Sequence, residues 1–264
     1  GEPWPAPGKP FFFRAPATAV ETLVDLGVDA VTLANNHALD FGEVALLDTM
    51  DLLDEGGIAH VGAGRDVDAA RSPVLLTAKG FRLRVIGVTD HPEDFAASGR
   101  RAGVALDALA GAPPPWLADA IAAPGADAVL VTPHWGPNMT PEPIPRVRAA
   151  AEALVDAGAT VVAGHSAHVF HGVGGRVLFD LGDFLDDYAV DPDLRNDLGL
   201  LWLVTVDETG PGRIEAIPLG LDFCFTRLAD PEEAAWIGRR FREACSAFAT
   251  QVAEEDGRLA VSPR

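Results

Sequence analysis

The chain has little cysteine, little lysine, a shortage of positive charge and no long apolar run. Cys224 and Cys245 are its only cysteines. Two thiols exclude a disulfide-stapled scaffold and read as two buried thiols. Lys9 and Lys79 are the only lysines, so every other fixed cation is arginine. Twenty Lys and Arg face 39 Asp and Glu, for a formal net charge of -19. Phosphate backbones and anionic membrane surfaces need a basic face, so neither nucleic acid nor an acidic bilayer is the expected partner. No apolar stretch reaches the ~18 residues of a membrane-spanning helix. The first residues, Gly1-Glu2-Pro3-Trp4-Pro5, lack the basic and then apolar pattern of a leader. On those grounds the chain alone reads as cytoplasmic, while an anchor encoded upstream of Gly1 would move it to the cell envelope.

The 264 residues present are 48% hydrophobic and 22% charged, the balance of a globular chain. No segment reads as a linker, so residues 1–264 are expected to form a single domain. Pro3, Pro5, Pro7 and Pro10 mark an extended entry segment.

One sequence shape occurs three times: a helical stretch, a glycine, an apolar strand, then polar residues. The first copy runs from Val20 through Gly27 and the strand 28–34 to Asn35-Asn36-His37. The second runs from Gly125 through 126–132 to Pro133-His134. The third has Ile144, Val147, Ala151 and Leu154 on one helical face, then Gly158, the strand 159–163 and Gly164-His165. Short apolar strands alternating with helices predict an α/β fold with a parallel sheet covered on both faces. Further helices are expected near 43–55 and 115–123, and strands near 73–78 and 82–89. After His168 the stretches 176–181, 199–206, 213–219 and 222–227 read as antiparallel strands with short turns. A last helix is expected over 231–254, with Trp236 and Phe241 packed.

In parallel sheets, ligands bind beyond the carboxyl ends of the strands. His37, His134, His165 and His168, four of seven histidines, fall at such ends. A single histidine is more often structural than functional, but four in corresponding places point to a site. Imidazoles from several strands can converge on one ion at ~2.0–2.1 Å. Asn36 adds an amide oxygen beside His37. His60, His91 and His171 lack this placement or are isolated, and read as structural. Asp40 has two readings. With Glu43 it resembles a capping box for the next helix. Three residues after His37, it is also placed to orient that imidazole. Asp183 comes after a glycine at a strand end and is a candidate for lining a substrate pocket, as is Asn35. Asp186 and Asp187 read as a solvated acidic loop.

The run Leu33-Ala34-Asn35-Asn36-His37-Ala38-Leu39-Asp40-Phe41-Gly42 resembles the signature of the CapA family of poly-gamma-glutamate capsule synthesis proteins. Asp48-Thr49, Gly62-Ala63-Gly64-Arg65, His134-Trp135-Gly136, Gly164-His165-Ser166-Ala167-His168-Val169 and Gly182-Asp183-Phe184 agree in order, over roughly residues 10–228. That resemblance implies a branch of the calcineurin-like metallophosphoesterase superfamily: a layered α/β sandwich with mixed sheets flanked by helices and a two-metal site. By the same resemblance, Asn36, His134, His165 and His168 would be metal ligands. His37 would contact substrate or protonate its leaving group, and Asp40 would support it. The ions would be divalent, as Mn, Zn or Fe. Two residues separate His165 from His168, where a metallophosphoesterase has one. Family members open with a Gly-Asp strand and an Asn-Leu-Glu motif, and Gly1–Arg14 resembles the segment just downstream of that motif. The expectation is therefore a chain lacking that first strand and its carboxylates, with a mononuclear or empty site.

Three functions are weighed. A metal-dependent hydrolase would cut a phosphoester or related bond, with metal-bound water acidified toward a pKa of ~7. Amide hydrolysis at the same site is chemically equivalent at this level. The third is a non-catalytic part in making or exporting the capsule polymer, for which Arg146 and Arg148 could supply a local anion patch. Either way the partner is a small-molecule or polymer substrate.

Overall fold

Periodicity and glycine placement set the local structure. The computed structural model describes residues 3–4 and 9–262. Pro5 and Pro7 of the extended entry segment lie outside the described residues. The fold is mixed α/β, and the chain divides into two compact units. The first holds Gly1–Ala108, Pro114–Ala126 and Val131–His134; the second holds Leu109–Pro113, Asp127–Leu130 and Trp135–Arg264.

In the first unit, helix α1 (Ala19–Asp25) stops ahead of Gly27, whose φ of +71° suits a residue without Cβ. Strand β1 (Ala30–Thr32) comes next, then α2 (Gly42–Glu55), β2 (Ala59–Val61), β3 (Ala63–Gly64), α3 (Val67–Arg71), β4 (Val74–Ala78) and β5 (Phe81–Thr89). After these stand β6 (Gly103–Val104), α4 (Pro115–Ala122) and β7 (Ala128–His134), whose last residues belong to this unit and whose first belong to the other. Helix α2 buries Leu46, Met50 and Leu53, one face at i, i+4, i+7. Leu46 and Met50 pack with Leu39, Ala63, Phe95 and Val104. Strands β4 and β5 form an antiparallel hairpin, and β5 lies beside β7.

The expected parallel sheet is only partly realised. Strand β1 pairs in parallel with β2 alone, from Ala30↔Ala59 to Thr32↔Val61. Instead of joining the β5 ladder, the β1–β2 pair presses against it. A Cβ on Gly87 of β5 would stand 2.9 Å from Thr32 Oγ1 and 3.0 Å from Gly62 Cα. A glycine there makes the close approach feasible.

In the second unit, α5 (Pro145–Asp156) starts with Pro145 in its first turn and buries Val147, Ala150, Ala151 and Leu154. It ends ahead of Gly158 at φ +108°. Strand β8 (Val161–Ala163) is next, then β9 (Val173–Gly174) and β10 (Val177–Leu178). Strand β10 runs parallel to β8 and antiparallel to β9. It thus leaves the antiparallel set to which the sequence reading assigns 176–181. That set is β11 (Leu198–Asp207), β12 (Gly210–Asp222) and β13 (Phe225–Leu228). The β11–β12 ladder runs from Leu198↔Gly220 to Asp207↔Gly210, with a bulge at Thr205/Val206.

Helix α6 (Pro231–Ser246) opens on a capping box, Asp230 with Glu233. Ile237, Phe241 and Cys245 lie against Leu198, Leu200, Ile214 and Ala216. Each Leu, Ile and Phe side chain among them contributes about 1.5–3 kcal/mol of burial. Trp236 also packs on this core. The helix stops eight residues short of the expected 254. The remainder forms a hairpin, β14 (Val252–Glu255) and β15 (Arg258–Val261), paired at Glu255↔Arg258. Its turn is Asp256-Gly257, both at positive φ (51° and 76°), the Asp-Gly hairpin signal that the helical reading passes over. Cys245 is buried and Cys224 exposed; both are free thiols, so the expectation of two buried thiols holds for one. Among the described residues no helix is long and apolar enough to cross a membrane.

Candidate functional site

The turn after β1 is built by its own polar side chains. Asn35 Oδ1 accepts the His37 N–H at 2.8 Å, and the His37 carbonyl accepts the Asp40 N–H at 3.1 Å. These are turn-forming contacts typical of asparagine. They fold the chain back so that Asp40 Oδ2 meets His37 Nδ1 at 2.7 Å. Phe41, not Asp40, precedes α2, and no side chain caps that helix. Glu43 instead accepts the Ala102 N–H at 3.1 Å. Of the two readings of Asp40, the geometry selects the one in which it orients His37.

Asp40 is 1% exposed and its carboxylate has two further partners. Phe13 N–H donates to Oδ2 at 2.8 Å. The Lys9 ammonium forms an ion pair with Oδ1 at 2.5 Å and donates to the Asn36 carbonyl. Burial pushes the Asp40 carboxyl upward, but the His37 ring, the Lys9 ammonium and the Phe13 N–H outweigh it and hold the pKa below its usual value. The Phe13 ring meets His37 edge-on, centroids 4.5 Å apart. His37 keeps 26% of its side chain exposed. With Asn35 and Asp40 it lines a cavity of about 360 Å³, whose other walls include Val20, Leu33 and Phe41. Nδ1 is taken by Asp40, so Nε2 is the ring atom left for a ligand.

His134 closes β7 and is buried. Its carbonyl accepts the Asp90 N–H at 3.0 Å, and its ring lies 5.0 Å from that of His91. His91 Nδ1 bonds in turn to the buried Asp90 carboxylate. The sequence reading sets His91 aside as isolated. The strand-end rule, applied to β5 as it is to β7, finds it.

In the second unit, His165 and His168 leave β8 in a turn fixed by Asp180, whose carboxylate accepts the Ala167 and Gly182 N–H groups at 2.8 and 2.9 Å. Asp180 is fully buried, and burial pushes its pKa up to about 7. Asp183 holds His168 Nδ1 at 2.9 Å. Burial draws the His168 pKa down, but the hydrogen bond and charge of Asp183, with Asp180 and Asp186, raise it above the usual value. His165 is pulled down to about 4 by burial, with the His168 charge adding to the effect. Tyr188 meets the His168 ring edge-on at 5.0 Å. Asp186, expected in solvent, is half-buried here, and burial beside Asp183 pushes it up to about 6. Asp187 is exposed, as expected. His171 Nε2 bonds the Thr140 carbonyl at 2.8 Å, and His60 stands 3.3 Å from Asp54; both are structural.

The donor types suit a divalent transition ion, and a carboxylate behind an imidazole, as at His168, is the usual support for a ligating histidine. Among the described residues, however, no group of three or more His, Cys, Asp or Glu stands close enough to hold an ion. The ligand set implied by the resemblance is therefore not assembled from these residues alone.

The sequence reading misses Lys9, Asp90, His91 and Asp180. For Lys9 the available signal is its rarity: one of two lysines, beside the signature turn in space but 27 residues away in sequence.

Comparisons with known proteins bear on the same residues. The family described as bacterial capsule synthesis protein PGA_cap matches residues 1–188. A probable polyglutamine synthesis accessory protein of Mycobacterium tuberculosis is 32% identical over 97% of this chain and 72% of its own length. The capsule biosynthesis protein CapA of Bacillus anthracis is 30% identical over 81% of this chain, and the PGA biosynthesis protein CapA of Bacillus subtilis 30% identical over 77%. The chain spans about half the length of these two Bacillus relatives (53% of each). Among solved structures, the NAD nucleotidase of Haemophilus influenzae is similar at a TM-score of 0.40 and 12% identity, over 81% of this chain and 36% of that one. The family match spans the stretch from Asn35-Asn36-His37 to Asp183: the chain belongs to the bacterial capsule synthesis protein family PGA_cap, the CapA family.

Proposed function

We propose that the chain carries the acid–base part of a hydrolytic site for a phosphoester or related bond, in the service of capsule polymer synthesis at the cell envelope. The observation behind this reading is the His37–Asp40 pair, 2.7 Å apart at the wall of a cavity. A buried carboxylate fixes the ring, and Nε2 is left to give a proton to a leaving oxygen. A positioned imidazole of this kind is worth about 10²–10⁴-fold in rate.

The metal part of the reading is separate. Asn36 and His134 in the first unit, and His165 and His168 in the second, are proposed as ligands for Mn, Zn or Fe. A carboxylate set that the described residues do not assemble has to complete their coordination. Asn35 and Asp183 are proposed to line the substrate pocket. In this structure they also hold the His37 backbone and the His168 ring.

Hydrolysis of a nitrophenyl phosphoester by the purified chain, supplied in turn with Mn, Zn and Fe, tests the proposal. His37→Ala is expected to lower the rate by about 10²–10⁴-fold. His134→Ala and His165→Ala are expected to lower bound metal. Equal rates for parent and His37→Ala would remove His37 from the chemistry.

A second reading, a non-catalytic factor in polymer synthesis or export, is favoured by the relative that spans 97% of this chain and is named an accessory protein. The charge of -19 works against a polyanion. Arg148, expected in an anion patch, is engaged by the Pro143 carbonyl (3.0 Å), Glu142 (3.1 Å) and the Phe248 ring. Poly-γ-glutamate binding that survives chelation and the His37→Ala change would support this second reading over the first.

A further inference from the structure

Lys9 is held in an unusual setting for a lysine. Its side chain is 15% exposed in a chain with only one other lysine. The ammonium stands over the Phe95 ring, 4.7 Å from its centroid. It reaches two points of the His37 turn at once: the Asn36 carbonyl and, at 2.5 Å, Asp40 Oδ1. The contacts divide cleanly on Asp40. Oδ2 receives His37 Nδ1 and the Phe13 N–H, while Oδ1 faces Lys9.

This division has a geometric consequence. A carboxylate held on one oxygen can still rotate about its χ2 torsion, which is broad for aspartate. Hydrogen bonds at Oδ2 and the Lys9 charge at Oδ1 together oppose that rotation. The plane of the carboxylate then fixes the direction in which Oδ2 meets the imidazole. The contact with the Asn36 carbonyl fixes the peptide that leads into His37. The stretch from Lys9 to Phe13 is itself anchored, because Phe13 N–H bonds the same carboxylate at 2.8 Å. Phe95, beneath the ammonium, is fully buried and takes the Trp4 ring edge-on at 5.5 Å. The lysine therefore rests on a rigid floor, as a side chain that sets another's geometry must.

We propose that Lys9 is the positioning residue of the His37–Asp40 pair: it locks the Asp40 carboxylate in the rotation that keeps one His37 proton on Nδ1 and leaves Nε2 as the position that takes up and gives off the transferred proton. The proposal deepens the reading of His37 as the proton-transferring group and rests on it. Lys9 touches neither substrate nor reacting atom. Its effect passes through Asp40.

The test reads the His37 ring itself. Long-range ¹H–¹⁵N correlation spectra of the whole chain, labelled at histidine, report which ring nitrogen carries the proton. Parent, Lys9→Arg and Lys9→Met are compared, with the amide spectrum as the check on folding. The parent and Lys9→Arg are expected to show His37 with two well-separated nitrogen shifts and the proton on Nδ1. Lys9→Met is expected to lose that separation, the two shifts moving together as the tautomers average. A Lys9→Met ring identical to the parent's overturns the proposal, as does a Lys9→Arg ring that averages like Lys9→Met. Loss of the folded amide spectrum in Lys9→Met also overturns it, because Lys9 is then a stability residue. None of these readouts needs catalysis. A positive result with an unaffected hydrolysis rate in His37→Ala would keep the positioning role and discard the chemical one.

Discussion

Replacing Asp40 with asparagine tests the centre of the site through stability alone. The side chain keeps its size, so no cavity opens. What changes is charge. The Lys9 ammonium, 15% exposed, loses its counter-ion at 2.5 Å, and two hydrogen bonds to a carboxylate become bonds to an amide at best. Breaking a buried ion pair from one side costs about 3–5 kcal/mol, because a charge is left behind. Lys9 retains some contact with water, which lowers the figure to roughly 2–4 kcal/mol. For chains of this size about 1 kcal/mol corresponds to 2–4 °C, so the melting point is expected to fall by roughly 4–16 °C. Differential scanning calorimetry at neutral pH reads this, with the exposed Asp187→Asn as a control within about 0.5 kcal/mol. The pH dependence has a definite sign. The folded Asp40 pKa lies below its usual 3.8. The stability it contributes is therefore complete above that value and lost as pH falls through the lower folded pKa. The gap between parent and variant should be widest at neutral pH and narrow below pH 3.8. A variant melting within about 1 °C of the parent at neutral pH would refute the picture of Asp40 as a charged junction.

Three further outcomes are expected from other parts of the fold. Phe241, fully buried against Phe170 and Trp202, is expected to cost about 3–5 kcal/mol as alanine, read from urea unfolding monitored by tryptophan fluorescence. Gly62 has φ +79°, and an added Cβ would stand 2.4 Å from the Ala34 Cβ. Gly62→Ala is expected to destabilise by more than about 1 kcal/mol and to shift the backbone amides of Ala34 and Asn35, whereas an unmoved spectrum would refute the contact. Glu233 is held down to about 2 by its two-point pairing with Arg227. Its contribution is complete above the usual 4.5 and disappears as pH falls toward 2, so Glu233→Gln should flatten the acid side of the stability profile between those values.

Local chemistry is readable wherever the deciding partners lie near in sequence. The α2 face of Leu46, Met50 and Leu53 comes from period, and the end of the helix at Gly56 from the poor helix propensity of glycine. His37 and Asp40 are three residues apart, and Asn35 needs only its own turn to bond the His37 N–H. The hairpin at 252–261 is equally local and escapes a reading that extends α6 through it. Its Asp-Gly turn marks the end of that extension.

The sequence by itself determined the α/β class, the strand-end placement of the polar residues and membership of the capsule synthesis family, because each rests on period, glycine position or motif order. Tertiary structure alone decided how the chemistry is wired. Only folding brings Lys9 to Asp40, His91 to His134 and Asp183 to His168, and buries Asp180 under the turn that carries His168. It also decided that β1 pairs with β2 and presses on β5 instead of extending its ladder. The physical reason is that a side chain's charge, orientation and basicity depend on neighbours a few ångströms away. At separations of fifteen to several tens of residues, no local pattern in the chain specifies which neighbours those will be.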